Sequence, residues 1–282
     1  MALPKMPVKK SAVKQFTLQP WTNQGQGHKV ILYGDSGIGK TTLASLASNP
    51  AFIGIDDGGR MILHPVTGQP LVSVPDVTTF QDVRDVLHSN VFDDCNTIVI
   101  DNVTELERLA LPYVFEHIKK QGGQTAVNIE DYGFHKGYRY WYETMLLILS
   151  DCDRWVRKGK NIVMIAQATS VKIANPAGED FLKQAPELFH DKNVSSLNAY
   201  VSWADHVLRM SYSHVEVTNG KAGSTNERAV FVHPEIHFYA KSRTISADYP
   251  VVTFNKPSDA SIWRLMFGGN YDATRNDAID TR

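Results

Sequence analysis

The sequence predicts an α/β fold: a mostly parallel, twisted sheet flanked by helices, with an antiparallel hairpin extension on its C-terminal side. Short aliphatic runs recur at Val30–Tyr33, Ala51–Ile55, Thr97–Ile100 and Asn161–Ala166, the pattern of strands buried on both faces. Between them lie segments with apolar residues at helical spacing. The four runs are followed by Gly34, Asp56, Asp101 and Gln167. That puts polar groups at the carboxyl ends of the strands, where parallel sheets hold their ligands.

The first run sets the rest. Residues 28–44 read HKVILYGDSGIGKTTLA, a strand, a glycine-rich turn and a helix that continues through Leu43, Ala44, Leu46 and Ala47. Gly34, Asp35, Ser36, Gly37, Ile38, Gly39, Lys40 and Thr41, with Thr42 behind them, fill G-x-x-x-x-G-K-[ST] without a gap. Such a loop cradles phosphate. The glycines let consecutive N–H groups turn toward an anion at a helix start. Lys40 reaches the β- and γ-phosphates and the Thr41 hydroxyl ligates Mg²⁺. ATP and Mg²⁺ are therefore the expected cofactors.

With 282 residues, 43 % of them hydrophobic, the chain reads as one large domain: an N-terminal arm over 1–27, a core over 28–268 and a flexible tail over 269–282. The formal net charge of −1 excludes the global basic field of a dedicated duplex-DNA binder. Cys95 and Cys152 are too few for a disulfide framework and read as reduced packing residues of a cytoplasmic protein. The lysines at 5, 9, 10 and 14 are followed by no apolar run, and no stretch is long enough to span a membrane.

In chain order, Asn49-Pro50 stops the first helix, and Ala51–Ile55 runs as a strand into Asp56 and Asp57, either of which can orient an attacking water. Gln69–Ser73 reads as a short strand and Thr78–Ser89 as a helix with Phe80, Val83, Val86 and Leu87 inward. Thr97–Asp101 has the form of a Walker B strand, with Asp101 on the Mg²⁺ through water. Glu105 opens the next helix and is a second candidate for the water-polarising carboxylate. Tyr132–Leu149 reads as a long helix with an aromatic core stripe, and the start of it, Asp131–Arg139, mixes aromatics with basic residues that can contact bases.

Asn161–Gln167 is a buried strand whose terminal amide can bond the γ-phosphate or its water. Ala168 to about Asn198 reads as a long polar loop, interrupted by Pro176 and Pro186, and as the candidate polymer-contacting segment. Trp203–Met210 and Ala229–His233 read as paired strands joined by the polar tip 219–224. Ile236–Arg243 ends in Lys241 and Arg243, which are either edge charges or cations offered to a neighbour's γ-phosphate.

The ordered set ILYGDSGIGKTTLA, TIVIDNVTEL, YWYETMLLILSD, GKNIVMIAQAT, SWADHVLRM and AKSR, over most of 28–245, resembles the RecA-like core of the RecA/KaiC/DnaB group. It is similar to the compact phage-encoded RecA-like ATPases of recombination modules. The resemblance implies a RecA-like P-loop NTPase with Lys40 and Thr41 on phosphate and Mg²⁺, Asp101 as the Walker B acid and Gln167 as sensor. It makes Lys241 and Arg243 the cations acting in trans, in a ring or filament of identical chains on single-stranded DNA. A single-stranded-DNA-binding protein is the implied partner, and the host cytoplasm the implied location. One departure is that the group carries glutamate after the second strand, where this chain has Asp56-Asp57.

Other classes fit less well. A small-molecule kinase needs an arginine-rich lid. An AAA+ loader should end in a helical lid bearing a sensor arginine, whereas 229–254 read as strands. Asn255-Lys256-Pro257-Ser258-Asp259 has one residue too many for the guanine-reading N-K-x-D. A nucleotide-dependent switch without recombinase activity is the principal alternative.

Overall fold

The structure, a computed structural model, describes residues 17–268 apart from 19, 21, 23, 24, 177, 214, 219, 220, 225 and 226, and only the backbone of 57, 215–218 and 221–224. Most of the expected arm and all of the expected tail lie outside the described residues.

In chain order, β1 (Lys29–Gly34) leads through the glycine-rich turn into α1 (Lys40–Ser45) and β2 (Pro50–Gly54). A 3₁₀ turn over Asp57–Met61, β3 (Ser73–Val74), α2 (Phe80–His88), β4 (Thr97–Asp101) and α3 (Val103–His117) follow. A second 3₁₀ turn over Ile129–Tyr132 precedes α4 (Lys136–Arg157), β5 (Asn161–Ile173), β6 (Phe181–Pro186) and α5 (Ser196–Trp203). Then come β7 (His206–Tyr212), the hairpin of β8 (Val215–Thr218) and β9 (Lys221–Ser224), β10 (Arg228–Phe231), β11 (Val251–Phe254) and α6 (Ser261–Phe267).

Nine strands form the main sheet in the order β11-β10-β7-β1-β5-β4-β2-β3, with β6 paired to β5 off that path. The strands from β7 to β3 run parallel, while β10 runs against β7, β11 against β10 and β6 against β5. β5 lies between β1 and β4. Gln167 therefore sits directly opposite Gly34, and Asp101 is one strand further out, level with Ile165.

Both faces of the parallel part are covered, which is why its strands read as unbroken aliphatic runs. Ile31, Ile98, Ile100, Ile162 and Met164 pack on one face beneath α2, α3 and α4 with Leu106, Met145 and Trp155. Val30, Leu32, Val99 and Val163 pack on the other face with Leu43 of α1 and Trp263 of α6. The Trp263 indole donates to the Leu43 carbonyl at 2.7 Å and so pins α6 to the back of α1. Cys95 and Cys152 are free and buried.

Several expectations change. The segment after Gln167 is no irregular loop: β5 continues to Ile173 and pairs with β6, because Thr169–Ile173 and Phe181–Ala185 alternate with period two. Trp203 belongs to α5, capped by Ser195, rather than to the strand that follows. Residues 236–243 form isolated bridges, Lys241 to Val207 and Phe238 to Gln184, rather than a continuous strand. The strand expected at Gln69–Ser73 is reduced to Ser73–Val74 at the sheet edge.

Candidate active site

Gly37 and Gly39 hold φ of 76° and 105°, a region where a side chain would strain the backbone, so the turn requires glycine there. Lys40 is buried, and its ammonium donates to the carbonyls of Gly34 (2.8 Å) and Asp35 (2.9 Å) and to Gln167 Oε1 (3.0 Å). Burial draws its pKa down against the upward pull of Asp101, Asp35 and Asp56. The chain has thus folded the lysine back over the cradle. A polyphosphate in the cradle would offer oxygens in place of those carbonyls.

Thr41 Oγ1 donates to Asp101 Oδ2 at 2.7 Å, which joins the helix start to the end of β4. Burial pushes the Asp101 carboxyl up to about 6, with Asp56 adding to the rise and the Thr41 hydrogen bond and Lys40 opposing it. A buried carboxylate in this state gains from a cation beside it. Thr41 and Asp101 offer hard oxygen donors a hydrogen bond apart, which would suit Mg²⁺. Among the described residues there is no cluster of three or more His, Cys, Asp or Glu that could hold a metal ion.

Gln167 is bound three ways. Its side chain meets Lys40, its N–H donates to Thr104 Oγ1 at 3.1 Å, and its carbonyl accepts from the Glu187 N–H at 2.8 Å. Thr104 Oγ1 in turn donates to the Glu187 carbonyl at 3.0 Å. Cradle, α3 and the far end of β6 therefore meet at one glutamine. Arg108 bridges Glu105 and Glu187 at the rim, which gives Glu105 a partner on its own helix.

Asp56 lies beyond the end of β2 and next to the Asp101 turn. Its Oδ2 accepts from Asn102 Nδ2 at 2.6 Å and its Oδ1 from the Gly58 N–H at 2.9 Å. The Asp57 side chain lies outside the described residues. Lys241 and Arg243 are not at the cradle of their own chain. Lys241 pairs through its backbone with Val207, near the start of β7, and its ammonium donates to the Val201 carbonyl (2.9 Å) at the end of α5. Arg243 pairs with Asp205 at 3.1 Å.

Sequence reasoning placed Asn102 and Thr104 with Glu105 at the active face without giving either a role, and both are organisers. Asn102 caps α3 through the Glu105 N–H at 2.8 Å, and an Asn three residues before Glu at a helix start is a readable cap signal. Sequence reasoning missed Arg228, whose guanidinium lies against Gly39. No local pattern marks that contact.

A protein-family model described as an AAA domain, AAA_24, matches residues 26–244, more than half of the 282-residue chain. The chain belongs to this family. It is an AAA-type P-loop ATPase, and the match runs from just before β1 through the cradle, Asp101 and Gln167 to Thr244, leaving β11 and α6 beyond it. No curated protein matches the chain. Among the described residues, no helix of this AAA-domain chain is long and apolar enough to cross a membrane.

Proposed function

We propose that the chain is a RecA-like ATPase, of the kind phages encode, that acts on single-stranded DNA in recombination, annealing or repair. It works as a homo-oligomer with ATP between subunits, beside a single-stranded-DNA-binding protein. The observation that carries this reading is Gln167: its amide touches Lys40 while its backbone is tied to Thr104 and Glu187. A change at the γ-phosphate is thereby passed to the β5–β6 hairpin, on the segment expected to meet a polymer. Phe134 supports a polymer contact, being 96 % exposed beside His135 and Lys136. Met61 (83 % exposed) and Val72 (69 %), near the short edge strand β3, support a neighbour at that edge.

In this mechanism Lys40 exchanges the Gly34 and Asp35 carbonyls and Gln167 for phosphate oxygens. Thr41 and Asp101 would hold Mg²⁺, which would supply neutralisation of the phosphate charge. The released Gln167 amide and Asp56 orient the attacking water. Lys241 and Arg243 serve a neighbour's site, where they stabilise transition-state charge.

The test is ATP hydrolysis with and without single-stranded DNA over a range of protein concentrations, with Lys40→Ala as blank. Stimulation that rises cooperatively with protein is expected. A second reading rests on a cleft of about 360 Å³ beside Asp101, lined also by Asp56, Arg60 and Asp76. A small phosphoryl acceptor fits there, and a rate linear in protein and indifferent to DNA favours it.

A further inference from the structure

On the side of the cradle away from Asp101, three strands carry Tyr212, Arg228 and Phe254 on one rung. Arg228 of β10 stands opposite Tyr212 of β7 and opposite Phe254 of β11, so the three side chains share a face. It is the α1 face: Met210 and Val230, two residues away on β7 and β10, belong to the core beneath α1. The last residue of β1, Gly34, pairs with Met210. Tyr212 therefore lies past the end of β1, at the level of the cradle.

The turn Asn255-Lys256-Pro257 closes a cleft of about 250 Å³ against these three side chains. That is smaller than the roughly 300–1,000 Å³ of a whole small-molecule site. It takes one part of a ligand. Arg228 joins it to the cradle, since Nη1 lies 2.8 Å and Cζ 3.4 Å from the position a Cβ on Gly39 would occupy. Among the described residues no carboxylate pairs with Arg228. A ligand that fills both spaces carries a polyphosphate at one end and a flat polar group at the other.

We propose that this cleft is the nucleoside subsite of the ATP site, a proposal that rests on the reading of the cradle given above. The base stacks on the Tyr212 ring, which is 40 % exposed. The Asn255 amide, both donor and acceptor, meets the edge of the base. Arg228 spans the passage between base and phosphates, where its fork of donors serves ribose and α-phosphate oxygens. The Asn255-Lys256 pair does not make the guanine-reading motif, yet it stands at the nucleotide. It lies outside the span that matches the AAA-domain model, whereas Tyr212 and Arg228 lie inside it.

Calorimetric binding of ATP and of inorganic tripolyphosphate, both with Mg²⁺, separates the two halves of the site. Tyr212→Ala should weaken ATP about tenfold or more, as expected for a lost stack, and leave tripolyphosphate within about twofold, which also shows that the variant is folded. Tyr212→Phe should bind ATP like the wild type, and Arg228→Ala should weaken both ligands. ATP binding unchanged in Tyr212→Ala, or ATP and tripolyphosphate lost in parallel, overturns the subsite while Lys40→Ala still abolishes binding and the cradle reading stands. Wild-type protein that binds neither ligand overturns both.

Discussion

Lys40 donates to Gln167 across 3.0 Å, so the residue proposed to grip phosphate and the residue proposed to report on it are bonded to each other. Gln167→Ala removes that contact but leaves the two carbonyl partners of Lys40 in place. Its ATP dissociation constant should stay within about threefold of wild type. Turnover should fall on the order of 10²-fold, the cost of losing one group that meets transition-state charge. Single-turnover hydrolysis alongside equilibrium binding checks this. Equal loss of binding and rate would mean that Gln167 merely positions Lys40.

Asp101 predicts a pH dependence. Its carboxyl, pushed up to about 6 by burial, must lose a proton before it can hold Mg²⁺. Mg²⁺·ATP affinity should therefore rise from pH 5 to 7 and level off above. In the unliganded protein the sign is opposite for stability. Between about pH 4 and 6 the folded state keeps a proton that the unfolded state has released, so stability falls as pH rises through that window. Asp101→Asn should flatten both curves, by titration calorimetry and by thermal melts.

How much of this was legible depends on whether the signal was local. The β1–cradle–α1 unit could be read because the phosphate loop needs glycine at 37 and 39 and a lysine and threonine in fixed order. Asp101 could be read as a strand end, since a doubly covered strand is apolar until it leaves the sheet, whereas Gln167 marks only the point where β5 stops being fully buried and the strand itself runs on to Ile173. The β5–β6 hairpin was hidden because its solvent-facing side carries Ser170, Lys172 and Leu182, which blur the alternation behind a polar composition. Arg228 was invisible for a stronger reason. Its contact with Gly39 joins positions 189 apart in the chain and exists only through the order of β10, β7 and β1.

Arg243 and Lys241 separate a trans role from a structural one. Arg243 is 59 % exposed where it pairs with Asp205, and a pair screened by solvent at its cationic end contributes about 1 kcal/mol or less. Arg243→Ala should therefore melt within a few degrees of wild type and bind ATP normally. If it acts on a neighbour's phosphate, its hydrolysis should no longer rise cooperatively with protein concentration. A full cooperative rate in Arg243→Ala would reduce the residue to an edge charge. Lys241→Ala is a poorer probe, because it also removes the donor to the last carbonyls of α5.

Glu107 gives a prediction one turn along α3 from Thr104, in the cleft the two share with Arg108 and Glu187. Its Oε2 accepts from the Phe189 N–H at 2.7 Å, while its Oε1 is buried with no hydrogen-bond partner in place among the described residues, although the Ser196 hydroxyl is near enough to oppose the rise in its pKa. Burial pushes the carboxyl up to about 7, so near neutrality the folded protein retains a proton that an unfolded chain, with an ordinary glutamate, has lost. Stability is then highest at low pH on account of this group and declines as pH rises from about 4.5 to 7. Glu107→Gln keeps an acceptor for Phe189 and cannot ionise. It should raise stability at pH 7 by on the order of 1–3 kcal/mol and leave it nearly unchanged at pH 5. Denaturant unfolding at the two pH values tests this. A variant that is destabilised equally at both would show that the carboxyl makes a contact the amide cannot replace.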